Sequence, residues 1–189
     1  ENILALTFTN TAAYNMRERL STLMGGEMAH RVQINTFHSF AEEMIRSHID
    51  FFPRFFGARL VSEIERIEIL ERVLDNANSK YFSVFKRREG TMSSLLSAID
   101  KIKKEGFLPG EFTQRVTEQF EASLKDEELF YKVSRGENKK GDIKQSELIK
   151  RERRRDKNLE LGELYIAYQE KMEEENLYDF SDLILFFIN

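Results

Sequence analysis

Two short apolar runs, each followed by a stretch of helical periodicity, open the chain. Residues 3–8 (Ile-Leu-Ala-Leu-Thr-Phe) form a run typical of a strand that is buried on both faces. Residues 12–23 carry apolar side chains at helical spacing, residues 32–37 (Val-Gln-Ile-Asn-Thr-Phe) alternate as a second strand, and residues 40–49 again have helical spacing. This order predicts a βαβ unit with parallel strands and a right-handed crossover. Such a unit belongs to an α/β sheet of which the chain supplies only a part.

From Pro53 onward the apolar pattern is helical. Apolar positions recur at helical spacing in four stretches, which are residues 64–74, 92–102, 112–124 and 161–172. At the end of the chain, a polar capping segment at residues 178–182 precedes a short apolar run. The sequence therefore predicts a mainly α fold with a small parallel β part.

A basic segment separates the third and fourth of these helical stretches. Residues 132–157 contain eleven Lys and Arg against five Asp and Glu, and few large apolar side chains. Segments of this composition cannot bury much apolar surface. We expect an exposed, mobile basic insertion or a solvated helix.

The composition of the chain excludes several classes of protein. The chain has 189 residues, 33% of them charged, and a net charge of −4, which is not the usual footprint of a DNA-coating protein. It has no Cys and three His, so disulfide scaffolds and thiolate metal sites are excluded and we predict no metal site. The longest apolar stretch, residues 183–188, is far too short to span a membrane, and no signal peptide is visible. We expect a cytoplasmic protein without membrane partners.

No catalytic centre is predicted within these residues. The P-loop pattern G-x-x-x-x-G-K-[ST] does not occur in the sequence. The acidic run Asp126-Glu127-Glu128 resembles a Mg²⁺-binding pair, but it follows a helical pattern instead of a buried strand. We interpret it as a solvated helix face.

The two strand-to-helix corners are the best candidate site. Parallel strands end at the same edge of a sheet, which is where open α/β sheets bind ligands. Helix N-termini, hydroxyls and amides bind phosphates, and exposed aromatic rings stack on bases. The pattern therefore suits single-stranded nucleic acid, and the candidate residues are Phe8, Thr9, Asn10, Thr36, Phe37, His38 and Ser39. The alternative is that the polar residues are ordinary helix caps and that both Phe side chains belong to the core.

At these corners the sequence resembles a known family. Residues 3–13 (Ile-Leu-Ala-Leu-Thr-Phe-Thr-Asn-Thr-Ala-Ala), with Met-Arg-Glu-Arg-Leu at 16–20, resemble motif Ia of the UvrD/Rep-type superfamily 1 DNA helicases. Residues 34–40 (Ile-Asn-Thr-Phe-His-Ser-Phe) resemble motif Ib, and residues 178–184 resemble the Asp-Phe-Asp-Asp-Leu segment before Walker B. The three motifs occur in the family's order. Two residues depart from the pattern, since Thr11 stands where Lys is usual and Ser181 stands where the first Asp of the paired acids is usual.

The resemblance implies a parent enzyme that uses ATP and Mg²⁺ to translocate 3′ to 5′ on single-stranded DNA in repair, recombination or replication. It also implies a partial RecA-like α/β (P-loop NTPase) unit at residues 1–48, an inserted helical subdomain at 49–177, and a return segment at 178–189. The P-loop would lie upstream and Walker B downstream. The 189 residues alone should then bind no cofactor and be inactive.

Two alternatives and two further expectations remain open. The chain could instead belong to a helicase–nuclease subunit of the AddA/RecB kind, or it could be a non-catalytic helical module that docks duplex DNA or protein.

Candidate duplex contacts at a single-strand/duplex junction are the cations of the basic segment, which are Lys139, Lys140, Lys150, Arg151, Arg153, Arg154 and Arg155. Strands without their neighbours expose unpaired edges, so we expect the isolated chain to dimerise or swap domains.

Overall fold

The computed structural model describes residues 3–82, 91–134, 136 and 138–189. This part of the chain is mainly helical with two small parallel sheets, as the hydrophobic pattern predicts. The strands are β1 (Ile3–Thr7), β2 (Val32–Thr36), β3 (Arg59–Leu60) and β4 (Leu177–Tyr178). The α-helices are α1 (Asn10–Met24), α2 (Gly26–Ala29), α3 (Phe37–Ser47), α4 (Glu63–Asn76), α5 (Thr91–Lys104), α6 (Pro109–Ser123), α7 (Gln145–Glu174) and α8 (Phe180–Ile188). Short 3-10 helices cover Ile49–Phe51, Pro53–Phe55 and Glu127–Leu129.

The chain divides into two compact units. The first unit contains the described residues up to Val61 together with Asn176–Asn189, and the second contains Ser62–Glu175. The predicted boundaries at 48/49 and 177/178 differ from these because residues 49–61 pack within the first unit. None of the described helices is both long and apolar enough to cross a membrane.

Two parallel strand pairs and a small aromatic core hold the first unit together. β1 pairs with β2 from Ile3 opposite Val32 to Thr7 opposite Thr36, and β3 pairs with β4. The core consists of Ile45 on α3, Phe55 and Leu183 on α8. The ring of Phe55 packs edge-on against Tyr178 with centroids 5.1 Å apart. Both ends of the chain therefore contribute to one core in this unit.

Side-chain caps fix where the helices of the first unit begin. Thr36 Oγ1 accepts a hydrogen bond from the backbone N–H of Ser39 at 3.1 Å, so α3 begins at Phe37, three residues before the predicted apolar stripe. Asp179 and Asp182 form a reciprocal capping box that starts α8 at Phe180. Both acids are buried, and their carboxylates accept hydrogen bonds from backbone N–H groups in the first turn of the helix.

The second unit is a helical bundle built around α7. The predicted apolar stripes supply most of its core, including Leu70, Ile99 and Leu164. Ile64 is an exception because it is largely exposed, while Arg66 of the same helix is buried. The Arg66 guanidinium lies 2.6 Å from Asp100 and its Nε donates to the Tyr168 hydroxyl at 3.2 Å. Buried charge is tolerated here because it is paired and hydrogen-bonded.

A close helix–helix approach also shapes this unit. A Cβ atom at Gly162 of α7 would overlap the side chain of Thr113 and would lie 3.2 Å from the Phe112 ring of α6. The glycine therefore allows α6 to pack closely on α7. A larger residue at this position would separate the two helices.

Over residues 145–157 the basic segment is helical, which is the second of the two expected forms. Residues 145–157 are the first part of α7, which continues without a break to Glu174. The segment before the helix is short and contains an antiparallel bridge between Phe130 and Ile143. The apolar pattern missed this half of the helix because its contacts to α6 are made by arginines, which contribute no apolar stripe.

The apolar stripe predicted for α1 forms a helix but does not form a core. Only Ala13 is buried in that helix, while Met16 and Leu23 are exposed, and so are Ile3 and Leu4 of β1. Exposed apolar surface next to a strand edge is the feature from which we predict self-association. That association stays a prediction.

Candidate nucleic-acid interface

The strand register brings the two predicted corners together. Thr7 of β1 lies opposite Thr36 of β2, so α1 and α3 begin side by side at the carboxyl edge of the sheet. Both helix N-termini therefore direct backbone N–H groups and positive dipole ends towards the same edge. An anion that lies across this edge meets both.

The hydroxyl residues of the corners are helix caps. Thr9 Oγ1 accepts from the backbone N–H of Ala12 at 3.1 Å and remains exposed. Thr36 is buried, and its hydroxyl lies 2.8 Å from that of exposed Ser39, where either atom donates. A hydroxyl has one hydrogen to donate besides the lone pairs that accept, so Thr9 retains a donor while it caps the helix. The capping and binding interpretations are therefore compatible for Thr9, whereas Thr36 lies too deep to reach a ligand.

The two phenylalanines of the corners point to solvent. Phe8 is 87% exposed and Phe37 is 39% exposed, and their ring centroids lie 5.1 Å apart with planes tilted by 45°. Within the described residues neither ring is buried, so neither contributes to the core of the first unit. A fold gains little from an exposed aromatic ring, since burial is what stabilises it. An exposed ring pair between two helix N-termini has the geometry of a platform for bases.

A third aromatic residue, not among the predicted site residues, extends this surface. The His38 ring packs edge-on against Phe180 with centroids 5.3 Å apart, and Phe180 is 56% exposed. Phe180 is the first residue of α8, whose following residues form an apolar run. The sequence contained the residue within a family-like segment, but no local signal showed that its ring would face solvent beside His38.

A cavity of about 310 Å³ lies next to Phe180. Its walls are partly aromatic and aliphatic and partly cationic, and they include Arg46, Arg59, Leu60, Tyr178, Phe180 and Leu183. Arg46 also pairs with Glu42 of the same wall at 2.7 Å, and both side chains are substantially exposed. Exposed ion pairs of this kind contribute little stability, so a ligand phosphate can compete for the guanidinium. The volume lies at the lower end of the range of small-ligand pockets.

The seven predicted duplex contacts fall into two groups. Arg151 donates to the carbonyl of Ser123 and lies 3.3 Å from Asp126, and the Arg155 guanidinium stacks 4.3 Å above the Phe120 ring. Both side chains thus serve to hold α7 on α6. The others, Lys139, Lys140, Lys150, Arg153 and Arg154, are exposed.

The acidic run near α6 does not have the geometry of a metal site. Asp126 caps the 3-10 helix Glu127–Leu129 by accepting from the backbone N–H of Glu128 at 3.0 Å. This hydrogen bond, together with Arg151, holds the pKa of Asp126 below its usual value. Among the residues that the structure describes, no group of three or more His, Asp and Glu side chains could hold a metal ion.

Comparison with known proteins gives the family. The model of the UvrD/REP helicase N-terminal domain matches residues 1–189. The chain belongs to this family. The predicted resemblance to UvrD/Rep-type helicases is thereby confirmed.

Relatives of this UvrD/REP domain include several helicases. The ATP-dependent DNA helicase Rep of Buchnera aphidicola subsp. Acyrthosiphon pisum is 38% identical over 39% of this chain and 11% of its own length. The ATP-dependent DNA helicase PcrA of Leuconostoc citreum is 21% identical over 99% of this chain and 19% of its own length. An ATP-dependent helicase/nuclease subunit of Heliobacterium modesticaldum is 31% identical over 49% of this chain and 8% of its own length. The aligned part of this chain therefore spans a fifth or less of each of these relatives.

Proposed function

We propose that this chain is part of an ATP-dependent DNA helicase and that its two strand-to-helix corners bind single-stranded DNA. In this proposal the first unit is part of a RecA-like domain and the second is its inserted helical subdomain. Membership of the UvrD/REP helicase N-terminal domain family supports the helicase assignment. The exposed ring pair Phe8–Phe37 between two helix N-termini is the observation that carries the single-strand assignment.

Each group at the corners has a defined task in this proposal. The Phe8 and Phe37 rings stack on bases, which requires no sequence readout because every base has a π-face. The Thr9 hydroxyl, the Asn10 amide, Ser39 and the first N–H groups of α1 and α3 donate hydrogen bonds to phosphates. Thr36 acts indirectly, since it caps α3 and orients Ser39 through their 2.8 Å contact. His38 and Phe180 extend the track towards the cavity beside Arg46 and Arg59.

The described residues do not fit ATP and Mg²⁺. The sequence has no P-loop pattern, and the described acids do not converge on a metal position. In the proposed parent helicase, other parts of the protein bind the nucleotide and Mg²⁺ and supply the energy for 3′ to 5′ translocation. We assign to the present residues the task of holding the strand, and no step of ATP hydrolysis. Alone they are expected to be inactive.

Phe8→Ala in the full-length protein tests the single-strand assignment. Stacking contributes about 1–3 kcal/mol per base, so affinity for a short oligo-dT should fall roughly ten- to a hundredfold. Thermal stability should change little because the ring is mostly in solvent. Fluorescence anisotropy with a labelled oligonucleotide measures the first quantity, and a thermal melt measures the second.

Phe51→Ala is the matched control for this test. Phe51 is 80% exposed in the same unit, but it follows the opposite end of α3, roughly 16 Å along the helix from the corners. Its removal should leave oligo-dT affinity unchanged. Equal effects of both substitutions, or no effect of Phe8→Ala and Phe37→Ala, would remove the support for a strand-binding site at the corners.

One observation favours a second candidate within the same reaction class. The match to a helicase/nuclease relative keeps the AddA/RecB-like alternative open. The corners would bind single-stranded DNA in either parent. The sequence of the full-length protein decides between the two, because the alternative requires a nuclease domain in the same polypeptide.

A further inference from the structure

One arginine of α1 is bonded to the strand that leads into the second corner. Arg17 Nη2 donates a hydrogen bond of 2.7 Å to the main-chain carbonyl of Ile34 in β2. Ile34 is buried, and it lies two residues before Thr36, which caps α3. Hydrogen bonds from a charged donor are shorter and stronger than those between neutral groups. The bond therefore links the helix of the first corner to the strand of the second.

Apolar packing alone gives α1 little fixed orientation on the sheet. Of the described residues of α1, Ala13 alone is buried, whereas Met16 and Leu23 are exposed. Burial of one methyl group contributes little, and the hydrophobic effect has no direction. The Thr9 cap bonds to Ala12 within the same turn and does not reach β2. The Arg17 bond adds the directional contact that this packing lacks.

The second corner has fixing contacts of its own. Glu43 Oε2 on α3 accepts hydrogen bonds from the side-chain amides of Gln33 at 3.2 Å and Asn35 at 3.1 Å. These bonds join β2 to α3, so they stabilise the second corner without connecting it to the first. Arg17, by contrast, connects an element of one corner with an element of the other.

We infer that Arg17 is a positioning residue of the single-strand site, which holds α1 at the angle that keeps Phe8 beside Phe37. The inference rests on the function proposed for the corners. The two ring centroids lie 5.1 Å apart, within the range of about 4.5–7 Å in which aromatic rings interact. Arg17 lies two turns, about 10 Å, along α1 from its first residue, Asn10. Without the bond to Ile34 the body of α1 can change its angle, and the corner at its N-terminus turns with it.

Arg17→Ala in the full-length protein tests this inference. Affinity for a short oligo-dT should fall roughly three- to tenfold, which is less than the loss from Phe8→Ala because the ring is displaced and not removed. Quenching of 2-aminopurine in a bound oligonucleotide reports stacking, and it should decrease as well. Arg17→Lys keeps a charged donor without the guanidinium geometry, so it should recover part of the affinity. Arg31→Ala, which removes another exposed cation from the same unit, is the matched control and should change neither quantity.

The double variant Arg17→Ala/Phe8→Ala shows whether Arg17 acts through the ring. Once Phe8 is absent, loss of Arg17 should have little further effect, so the combined loss of affinity should be smaller than the product of the two single losses. Independent losses overturn the inference, and a reduced salt dependence in Arg17→Ala would identify a direct phosphate contact in its place. A lower melting temperature with unchanged affinity and quenching in Arg17→Ala also overturns it, because the role would then be structural.

The same measurements separate this inference from the function on which it rests. An effect of Phe8→Ala without any effect of Arg17→Ala contradicts the positioning role alone. Unchanged affinity in Phe8→Ala and Phe37→Ala contradicts the strand-binding site, and the positioning role with it. If Arg17→Ala does not fold, Arg17→Lys replaces it in the single and double variants, with the same outcomes at smaller size.

Discussion

The aromatic rings at the corners of the first unit and those in the core of the helical unit differ in their exposure to solvent. At the corners of the first unit, Phe8 and Phe37 face solvent as a pair. In the helical unit, Tyr165 and Tyr168 are fully buried, and the Phe120 ring is covered by Arg155. Burial of a ring contributes to stability, whereas an exposed ring is available to a ligand. The difference indicates which rings serve the fold and which can serve binding.

The same contrast holds for the cations. In the helical unit the Arg66 guanidinium is enclosed by Asp100, Glu63 and the Tyr168 hydroxyl, so it holds three helices together. In the basic half of α7, by contrast, the side chains of Lys150, Arg153 and Arg154 are exposed. The residue type alone therefore does not indicate a role, since Arg66 stabilises the bundle while Arg154 is exposed.

The largest expected effect is a loss of stability after substitution in the buried core of the helical unit. Tyr168→Ala removes a fully buried ring from the helical unit and should cost about 3–5 kcal/mol of stability. Hydrogen exchange of the amides in α4 and α7 of the full-length protein measures this loss locally. Oligo-dT affinity should be unaffected as long as the protein remains folded.

Tyr168→Phe separates the contribution of the hydroxyl from that of the ring. It keeps the ring but removes the hydroxyl that accepts from Arg66 Nε, so a smaller loss of about 1–3 kcal/mol is expected. If both substitutions left exchange in α4 unchanged, the proposed role of this buried pair in the bundle would be contradicted.

A smaller effect is expected from His38→Ala at the exposed site. As a DNA contact, His38 should contribute about one hydrogen bond, so its loss should weaken oligo-dT binding roughly two- to tenfold. The DNA-stimulated ATPase of the full-length protein should fall with it. Exposed His48, beyond the other end of α3, is the control, and its replacement by Ala should change neither quantity.

The alternative role of His38 gives a different result. If the residue acts only by packing against Phe180, the substitution should lower thermal stability and leave affinity and stimulation unchanged. Unchanged affinity in both His38→Ala and Asn10→Ala would contradict the assignment of motif Ia and motif Ib as the strand-binding surface.

The smallest expected effect concerns pH and Asp126. The backbone N–H of Glu128 and the nearby Arg151 hold the pKa of Asp126 below its unfolded value, so its ionised form stabilises the folded state. This contribution is present above the unfolded pKa of about 4 and disappears as the pH falls through the folded pKa. Asp126→Asn should therefore lower the melting temperature slightly near pH 7 and not at all at low pH.

A pH series of thermal melts checks this prediction. Glu127→Gln, in the same 3-10 turn, is the control for a general loss of negative charge. A difference between wild type and Asp126→Asn that grew as the pH fell would contradict the assigned sign.

The sequence by itself determined the local structure and the place of the candidate site. Apolar runs and helical spacing predicted β1, β2 and most helices, because periodicity follows directly from the geometry of each element. The order of strand, helix and strand placed both corners at one edge of a sheet, and the register of Thr7 opposite Thr36 agrees with that expectation. The motifs at those corners were also sufficient to identify the family.

Only the tertiary structure decided which side chains are available for function. Phe8 and Phe55 are the same residue type, yet one is exposed and the other buried. The contact between His38 and Phe180 joins residues that are far apart in the chain, and the direction of Arg151 and Arg155 depends on where α6 lies. Local periodicity describes which residues share a face of one element. It contains no information on what covers that face, because the partner comes from a distant part of the chain.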